Sequence, residues 1–361
     1  MDRPVVAVIL AGGTGSRLYP ASRSDRPKQF LALGPGDDSL LARTAARTGF
    51  ADATLVATRP EFADEVPDHA PDAEVVVEPA GKDTGPAVLH ATRRARDAVD
   101  GDPVVVVLPA DHRVPDADAF EATMARGARV AADTERLVAF GVEPTRPATG
   151  YGYVEPGAAR TVGDDGNDGN DGSNGNNDGS DPYHELAAFH EKPDAEAAAA
   201  YVEAGYYWNA GIFAWTPAAL FAEARDTALG PLVDALHDPE PEPEAGFAAV
   251  DPVSIDYAVM EGAENAAVVP ATFAWDDLGA WDALDRVLDP DADGNVAADG
   301  AETLAVDAAD NVVAGDRTHV SLVGVDGLCV VAYGDRVLVV PKDEAQRVRE
   351  AVDRLRERGE F

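Results

Sequence analysis

Five apolar, β-branched runs alternate with alanine-rich helical stretches over the first 141 residues: Val5 to Leu10, Thr54 to Ala57, Glu74 to Val77, Val104 to Leu108 and Leu137 to Gly141. Strands that are apolar throughout must be buried on both faces, which a mostly parallel sheet flanked by helices provides. The expectation is a Rossmann-like α/β layer, in which ligands bind outside the carboxyl ends of the strands. Two segments fall there: the glycine-rich LAGGTGSRLYPASRSDRPKQF from Leu10 to Phe30, and PADH from Pro109 to His112.

The glycine-rich segment is suited to phosphate. Gly12, Gly13 and Gly15 let backbone N–H groups approach an anion closely. Arg17 adds a planar two-pronged donor, and Lys28 a compact charge that suits a single phosphate. The spacing matches neither the dinucleotide fingerprint nor the P-loop, both of which need glycines at other offsets.

Composition narrows the partners. The chain has 361 residues, with 29 Lys and Arg against 66 Asp and Glu, a formal charge of −37. Such a surface repels nucleic acid and anionic membranes, so substrate phosphates must be met locally. Few lysines with abundant Ala, Val, Asp and Glu suggest a cytoplasmic protein of a haloarchaeon-like halophile. Molar salt shortens the Debye length to about 3 Å and removes much of the self-repulsion. An apolar content of 45% argues against an acidic disordered chain. Cys329, the single cysteine, excludes an internal disulfide or thiolate zinc cluster and falls in an apolar run expected to be core. Val5 to Leu10 is too short for a secretory core, and no run approaches the roughly 20 apolar residues of a membrane span.

Residues 163–180, GDDGNDGNDGSNGNNDGS, read as a disordered acidic insert. They lack the spacing and terminal Glu of an EF-hand, so calcium is a minor alternative. Flanking runs, Tyr151 to Glu155 and Glu185 to Glu191, should pair as a hairpin. Past Trp281, short runs (Thr303 to Val306, Asn311 to Val313, His319 to Val325, Leu328 to Ala332, Val337 to Val340) with Asp, Asn and Gly between them suggest a compact β domain or coiled solenoid. Asp343 to Arg358 reads as a terminal helix. The expected division is a catalytic domain over 1–285 and a small β domain over 286–361.

LAGGTGSRLYP…RPKQF, EPAGKDTGPA, LPADH, TGYGYVEPG, FHEKP, WNAGIF, SIDYAVME and WDDLGAW occur in one order over residues 4 to about 285. In these motifs the chain resembles the mannose-1-phosphate guanylyltransferases of the nucleotidyltransferase superfamily, and its tail is consistent with that family's β-helix. The resemblance implies a glycosyltransferase-A-like fold and transfer of a guanylyl group from GTP to mannose 1-phosphate, with Mg²⁺ or another divalent cation such as Mn²⁺. A homodimer is possible. The family's bifunctional members carry an added isomerase domain, which is not expected within these 361 residues.

By the same resemblance, Asp111 and Asp277 hold the metal, with Arg17 and Lys28 completing the catalytic set. Asp276 is the local rival of Asp277, and capping of a following helix is the alternative for Asp111. The nucleotide is assigned to Leu10, Ala11, Gly12, Gly13, Gly15 and Arg17, and its base to Glu78, Pro79, Asp83 and Thr84. Capping of the helix from Pro86 is the alternative for Asp83 and Thr84. The sugar phosphate is assigned to Lys28, Gly152, Glu191, Lys192, Asn209 and Asp256. Trp208, Phe213 and Trp215 read as packing, and His112 as a hydrogen-bonded support. Another nucleotide and hexose phosphate pair, or a non-catalytic nucleotide-sugar sensor, remain open.

Overall fold

A computed structural model describes residues 3–33, 36–163, 181–238, 242–298, 300–316 and 318–361. Apart from Gly163, the acidic insert, and with it the calcium alternative, lies outside the described residues.

The β-branched runs form a nine-stranded sheet: β1 (Val5–Leu10), β2 (Ala53–Thr58), β3 (Glu74–Val77), β4 (Val104–Pro109), β5 (Leu137–Val142), β6 (Tyr153–Thr161), β7 (Pro182–His190), β8 (Tyr207–Trp215) and β9 (Ala266–Pro270). Their order is β3-β2-β1-β4-β8-β5-β9-β7-β6. Pairing is parallel through β3-β2-β1-β4 and again at β5-β9, while β8 runs antiparallel between β4 and β5. Val6, Ala7, Val8 and Ile9 of β1 are wholly buried, as both-face coverage requires. Each large aliphatic side chain so buried stabilises the fold by about 1.5–3 kcal/mol before entropy is counted.

The chain leaves β1 toward β2 on one side and returns at β4 on the other, so the order reverses at β1 and opens a crevice at the strand ends. The helix Thr84–Ala95 covers one face with Val88, Leu89 and Ala91, and the helix Ala117–Thr134 covers the other with Phe120, Met124 and Ala128. The expected hairpin forms, but its strands reach further toward the insert, to the pair Thr161 and Pro182.

The C-terminal part is a β-helix. Strands β10 (Val296–Ala298), β12 (Val312–Gly315) and β14 (Leu328–Tyr333) stack in parallel, with Val296 facing Val312 and Val312 facing Cys329. On a second face β11 (Glu302–Val306) pairs in parallel with β13 (His319–Val323), and β15 (Arg336–Pro341) closes the first sheet antiparallel to β14. Buried Asn295 and Asn311 stack at the turns: Asn311 Nδ2 donates to Asn295 Oδ1 at 2.9 Å, and Asn311 Oδ1 accepts from the Leu328 N–H. The terminal segment starts as a 3-10 turn, Lys342–Arg347, and becomes α-helical only over Val348–Glu357.

One core spans the expected division. Leu18, Ala21, Leu31 and Leu33, which flank and follow the glycine-rich loop, pack in one cluster with Trp281, Val312, Cys329 and Val331. Cys329 is fully buried and its thiol is pushed up to about 12 by that burial, as expected of a packing residue.

Candidate active site

The crevice at the sheet switch point is a cavity of about 600 Å³. Its walls come from four strand ends: Leu10 to Gly13 after β1, Arg59 after β2, Glu78 after β3, and Pro109 to Asp111 closing β4. A second cleft of about 470 Å³ contains Glu191 and Lys192, and shares Asp83, Thr84, Pro252 and Asp256 with the first.

The glycine-rich loop is shaped by contacts that a side chain would block. Gly15 has φ +66°, and a Cβ there would stand 2.3 Å from Lys28 Cβ. A Cβ on Gly12 would lie 2.6 Å from Glu78 Oε1. The loop thus lets Lys28 and Glu78 close on the backbone. Gln29, to which the sequence reading assigns no role, donates Nε2 to the Ala11 carbonyl at 2.7 Å, and Thr58 Oγ1 donates to the same oxygen at 2.9 Å. Gly13 and Gly15 line the cavity, whereas Arg17, on the 3-10 turn Ser16–Leu18, and Pro79 are outside its lining.

Lys28 is almost wholly buried, with Nζ 2.7 Å from Asp111 Oδ2 and 2.9 Å from the Asp277 carbonyl. Burial pushes the Asp111 carboxyl up, but the charge and hydrogen bond of Lys28 bring it below the ordinary carboxylate value. Asp111 caps no helix. That role at the next helix belongs to Asp116, whose side chain accepts from the Ala119 N–H.

The turn after Trp275 separates its two carboxylates. Asp276 is consumed by Arg286, which donates Nε to Oδ2 at 2.7 Å and Nη2 to Oδ1 at 3.1 Å. Asp277 Oδ1 accepts from Tyr151 Oη at 2.9 Å and the Gly279 N–H at 3.1 Å. A Cβ on Gly279 would meet Asp277 Oδ2 at 2.5 Å, so glycine makes room for this carboxylate. Leu278 between them takes φ +44°. His112 accepts from Trp275 Nε1 at 3.0 Å on Nδ1, which requires a neutral ring, and burial holds the ring down at about 4. It supports Trp275 and is not charged at neutral pH.

Asp83 caps the helix Thr84–Ala95 with φ +70° and accepts from the Thr84 N–H at 2.7 Å. The capping alternative therefore holds for Asp83, and the helix starts at Thr84, before Pro86. Thr84 Oγ1 instead accepts from the Ile255 N–H at 3.0 Å, and Lys82 Nζ donates to the Val250 carbonyl at 2.6 Å, tying this loop to the 250–256 segment. Glu78 is buried, and burial raises its carboxyl to about 7 against the opposing pull of Arg59.

Glu191 and Asp256 line the second cleft, and Gly152 and Asn209 are in contact with them from outside its lining. A Cβ on Gly152 would stand 2.5 Å from Glu191 Oε2, and the Asn209 N–H donates to the Gly152 carbonyl at 2.8 Å. Asn209 Nδ2 donates to Asp256 Oδ1 at 2.7 Å. Burial, then the charge of Glu191, raises Asp256 to about 6. Lys192, at φ +45°, pairs with Glu191. Trp208, Phe213 and Trp215 are all buried, and Phe213 also reaches the cavity wall. Among the described residues, Asp83, Lys192 and Leu278 hold positive φ within these motifs, as do Glu135, Asp307 and Asp310 outside them.

Asp111 and Asp277 offer hard oxygen donors, with Asp277 Oδ2 left clear by Gly279. Among the described residues no group of three or more His, Cys, Asp and Glu is arranged for a metal. Two carboxylates fit Mg²⁺, which keeps waters and completes its shell with substrate phosphates, better than a fully protein-held ion.

This fold and site define a nucleotidyltransferase, and residues 6–293 match the Nucleotidyl transferase family, with 301–355 matching the MannoseP isomerase/GMP-like beta-helix domain. Within that class the chain belongs to the mannose-1-phosphate guanylyltransferase family. It is 36% identical to the Sinorhizobium fredii mannose-1-phosphate guanylyltransferase, over 97% of this chain and 68% of that protein. It is 33% identical to the Escherichia coli mannose-1-phosphate guanylyltransferase, over 98% and 73% respectively. A solved structure from Thermus thermophilus, named a mannose-1-phosphate geranyltransferase, superposes with a TM-score of 0.83 at 37% identity, covering 98% of this chain and 99% of that one. No helix among the described residues is long and apolar enough to cross a membrane.

Proposed function

We propose that the chain transfers a guanylyl group from GTP to α-D-mannose 1-phosphate. A phosphate oxygen of the sugar attacks the α-phosphorus, the bond to the bridging oxygen of the β-phosphate breaks, and pyrophosphate leaves with that electron pair as GDP-mannose forms. The attacking monoester is already anionic near neutral pH, so the barrier is the meeting of two polyanions, and charge neutralisation and alignment lower it.

The observation that carries this reading is the meeting of the two clefts, with buried Lys28 at the wall of the first. The glycine-rich loop would receive the triphosphate on its N–H groups, aided by Arg17. Glu78 would accept from guanine N1–H and N2–H₂, and the loop through Pro79, Asp83 and Thr84 would flank the base. Glu191, Lys192, Asn209 and Asp256 would orient the sugar and its phosphate against Gly152, and Lys28 would neutralise the reacting phosphates. Asp111 and Asp277 would hold Mg²⁺ or Mn²⁺, which when bound screens charge on the α-phosphate and the leaving pyrophosphate. The acidic composition supports work in concentrated salt and in the cytoplasm.

The test is pyrophosphate release in molar KCl with Mg²⁺, with GTP, UTP, dTTP, ATP and CTP each paired with mannose 1-phosphate and glucose 1-phosphate. Selective release from GTP with mannose 1-phosphate is expected. Selectivity for another pair moves the specificity and keeps the chemistry. No release from any pair by folded protein overturns the reading in favour of a sensor.

A further inference from the structure

The glycine-rich loop is anchored from two sides at one residue, Thr14, which lies between Gly13 and Gly15. From within, the buried Ser22 hydroxyl donates to the Thr14 carbonyl. From outside, Arg356 of the helix Val348–Glu357 donates Nη2 to Thr14 Oγ1 at 3.2 Å. That guanidinium is itself braced: Nη1 lies 3.3 Å from Asp353 Oδ1, and Cζ stands 4.7 Å from the centre of the Phe361 ring. The Phe361 ring is 6.2 Å from that of Tyr19, whose carbonyl accepts from Trp281 Nε1 at 2.9 Å.

A loop carrying three glycines, Gly12, Gly13 and Gly15, loses much backbone freedom when it closes on a ligand. A Cβ on Gly13 would meet nothing within 4 Å, so its neighbours do not hold this part of the loop by packing. Ordering the loop before the ligand arrives removes part of the entropic cost of binding. Ser22 provides one anchor from the segment next to the loop. The second comes from the far end of the chain.

We propose that Arg356 is a positioning residue for nucleotide binding: through the Thr14 hydroxyl it holds the Gly13 to Gly15 backbone ready for a polyphosphate. The inference rests on the reading of this loop as the triphosphate site and adds a role for the C-terminal helix in it. Because the acceptor is a neutral hydroxyl, the contact persists at salt concentrations that screen exposed ion pairs.

The test is a double-mutant cycle of Arg356→Ala and Thr14→Val, with Arg356→Lys as the conservative variant, all in the full chain. GTP dissociation constants are measured by calorimetry and steady-state constants by pyrophosphate release. Arg356→Ala is expected to raise the GTP dissociation constant by about three- to tenfold. The KM for mannose 1-phosphate and kcat at saturating GTP should stay unchanged. Arg356→Lys should recover part of the loss, and Arg356→Ala should add nothing in the Thr14→Val background. An unchanged dissociation constant in Arg356→Ala overturns the proposal. So does a loss that persists in the Thr14→Val background, since the guanidinium would then act on phosphate directly. Wild-type protein that binds no GTP overturns the triphosphate reading instead, and is seen before any variant is made. Val348 and Val352 seat the helix, so the variants should remain folded, which melting by circular dichroism checks.

Discussion

Lys28 Nζ joins two chain segments by lying 2.7 Å from Asp111 Oδ2 and 2.9 Å from the Asp277 carbonyl. One buried ammonium therefore ties the Asp111 carboxylate to the backbone at Asp277, two segments far apart in sequence. Replacing Lys28 by Ala should lower turnover by about 10²–10³-fold, the range for loss of a charge-stabilising donor. Asp111→Asn should abolish metal-dependent turnover while GTP still binds without metal. Pyrophosphate release and calorimetry measure the two effects.

On the proposed contact of Glu78 with the base, the nucleotide step should depend on pH. Its carboxyl titrates at about 7 in the fold, so the acceptor form is present above that pH and lost below it. GTP affinity should rise with pH through about 7, and Glu78→Gln should flatten the profile. Stability runs the other way. A carboxyl raised by folding binds its proton more tightly when folded, so its contribution falls as pH rises from about 4.5 to about 7 and is constant beyond. Binding and melting across pH 5 to 9 measure both trends.

Gly152 and Gly12 back different clefts, and each admits a carboxylate where a Cβ would stand about 2.5 Å from its oxygen. Gly152→Ala should displace Glu191 and raise the KM for sugar phosphate at least tenfold with little change for GTP, whereas Gly12→Ala should displace Glu78 and do the reverse. Equal effects of either variant on both substrates would refute the assignment of the clefts.

Tyr151 donates to Asp277 Oδ1 at 2.9 Å and is packed by Trp208 and Trp275, with ring centres 5.0 and 5.1 Å away. Tyr151→Phe keeps the packing and leaves Asp277 Oδ1 held by the Gly279 N–H alone. The Mg²⁺ concentration giving half-maximal rate should rise severalfold, with kcat at saturating Mg²⁺ reduced much less.

Asn311 is fully buried, and its amide bonds Asn295 Oδ1, the Val325 carbonyl and the Leu328 N–H. Asn311→Ala removes the side-chain partner of the Val325 carbonyl and the Leu328 N–H, while Asn295 Oδ1 keeps the residue-311 backbone N–H, and should cost about 2–3 kcal/mol. Since the β-helix shares its core with the segment around Leu18 and Leu31, GTP affinity should fall as the midpoint falls.

The α/β layer was legible because its strands are apolar on both faces, and β1 and β3 have the bounds that their composition suggests. Trp208, Phe213 and Trp215 read as packing, but the strand Tyr207–Trp215 was not legible, since an apolar run does not disclose that its neighbours will be β4 and β5, both antiparallel to it. Lys28, Asp111 and the glycines stood out by residue type. Gln29, Arg59 and Tyr151 did not, because a lone amide, guanidinium or phenol in a loop or at a strand end gains meaning only from what it faces.

The sequence by itself determined the covalent and local facts of this protein: strands that need two covered faces, a loop whose glycines permit close approach, and motifs in an order that marks a family. Tertiary structure decided which of two adjacent aspartates is free, since Arg286 neutralises Asp276 and Gly279 clears Asp277. It also brought Arg356 to Thr14. Long-range contacts and burial govern these outcomes, and residue type and spacing encode neither.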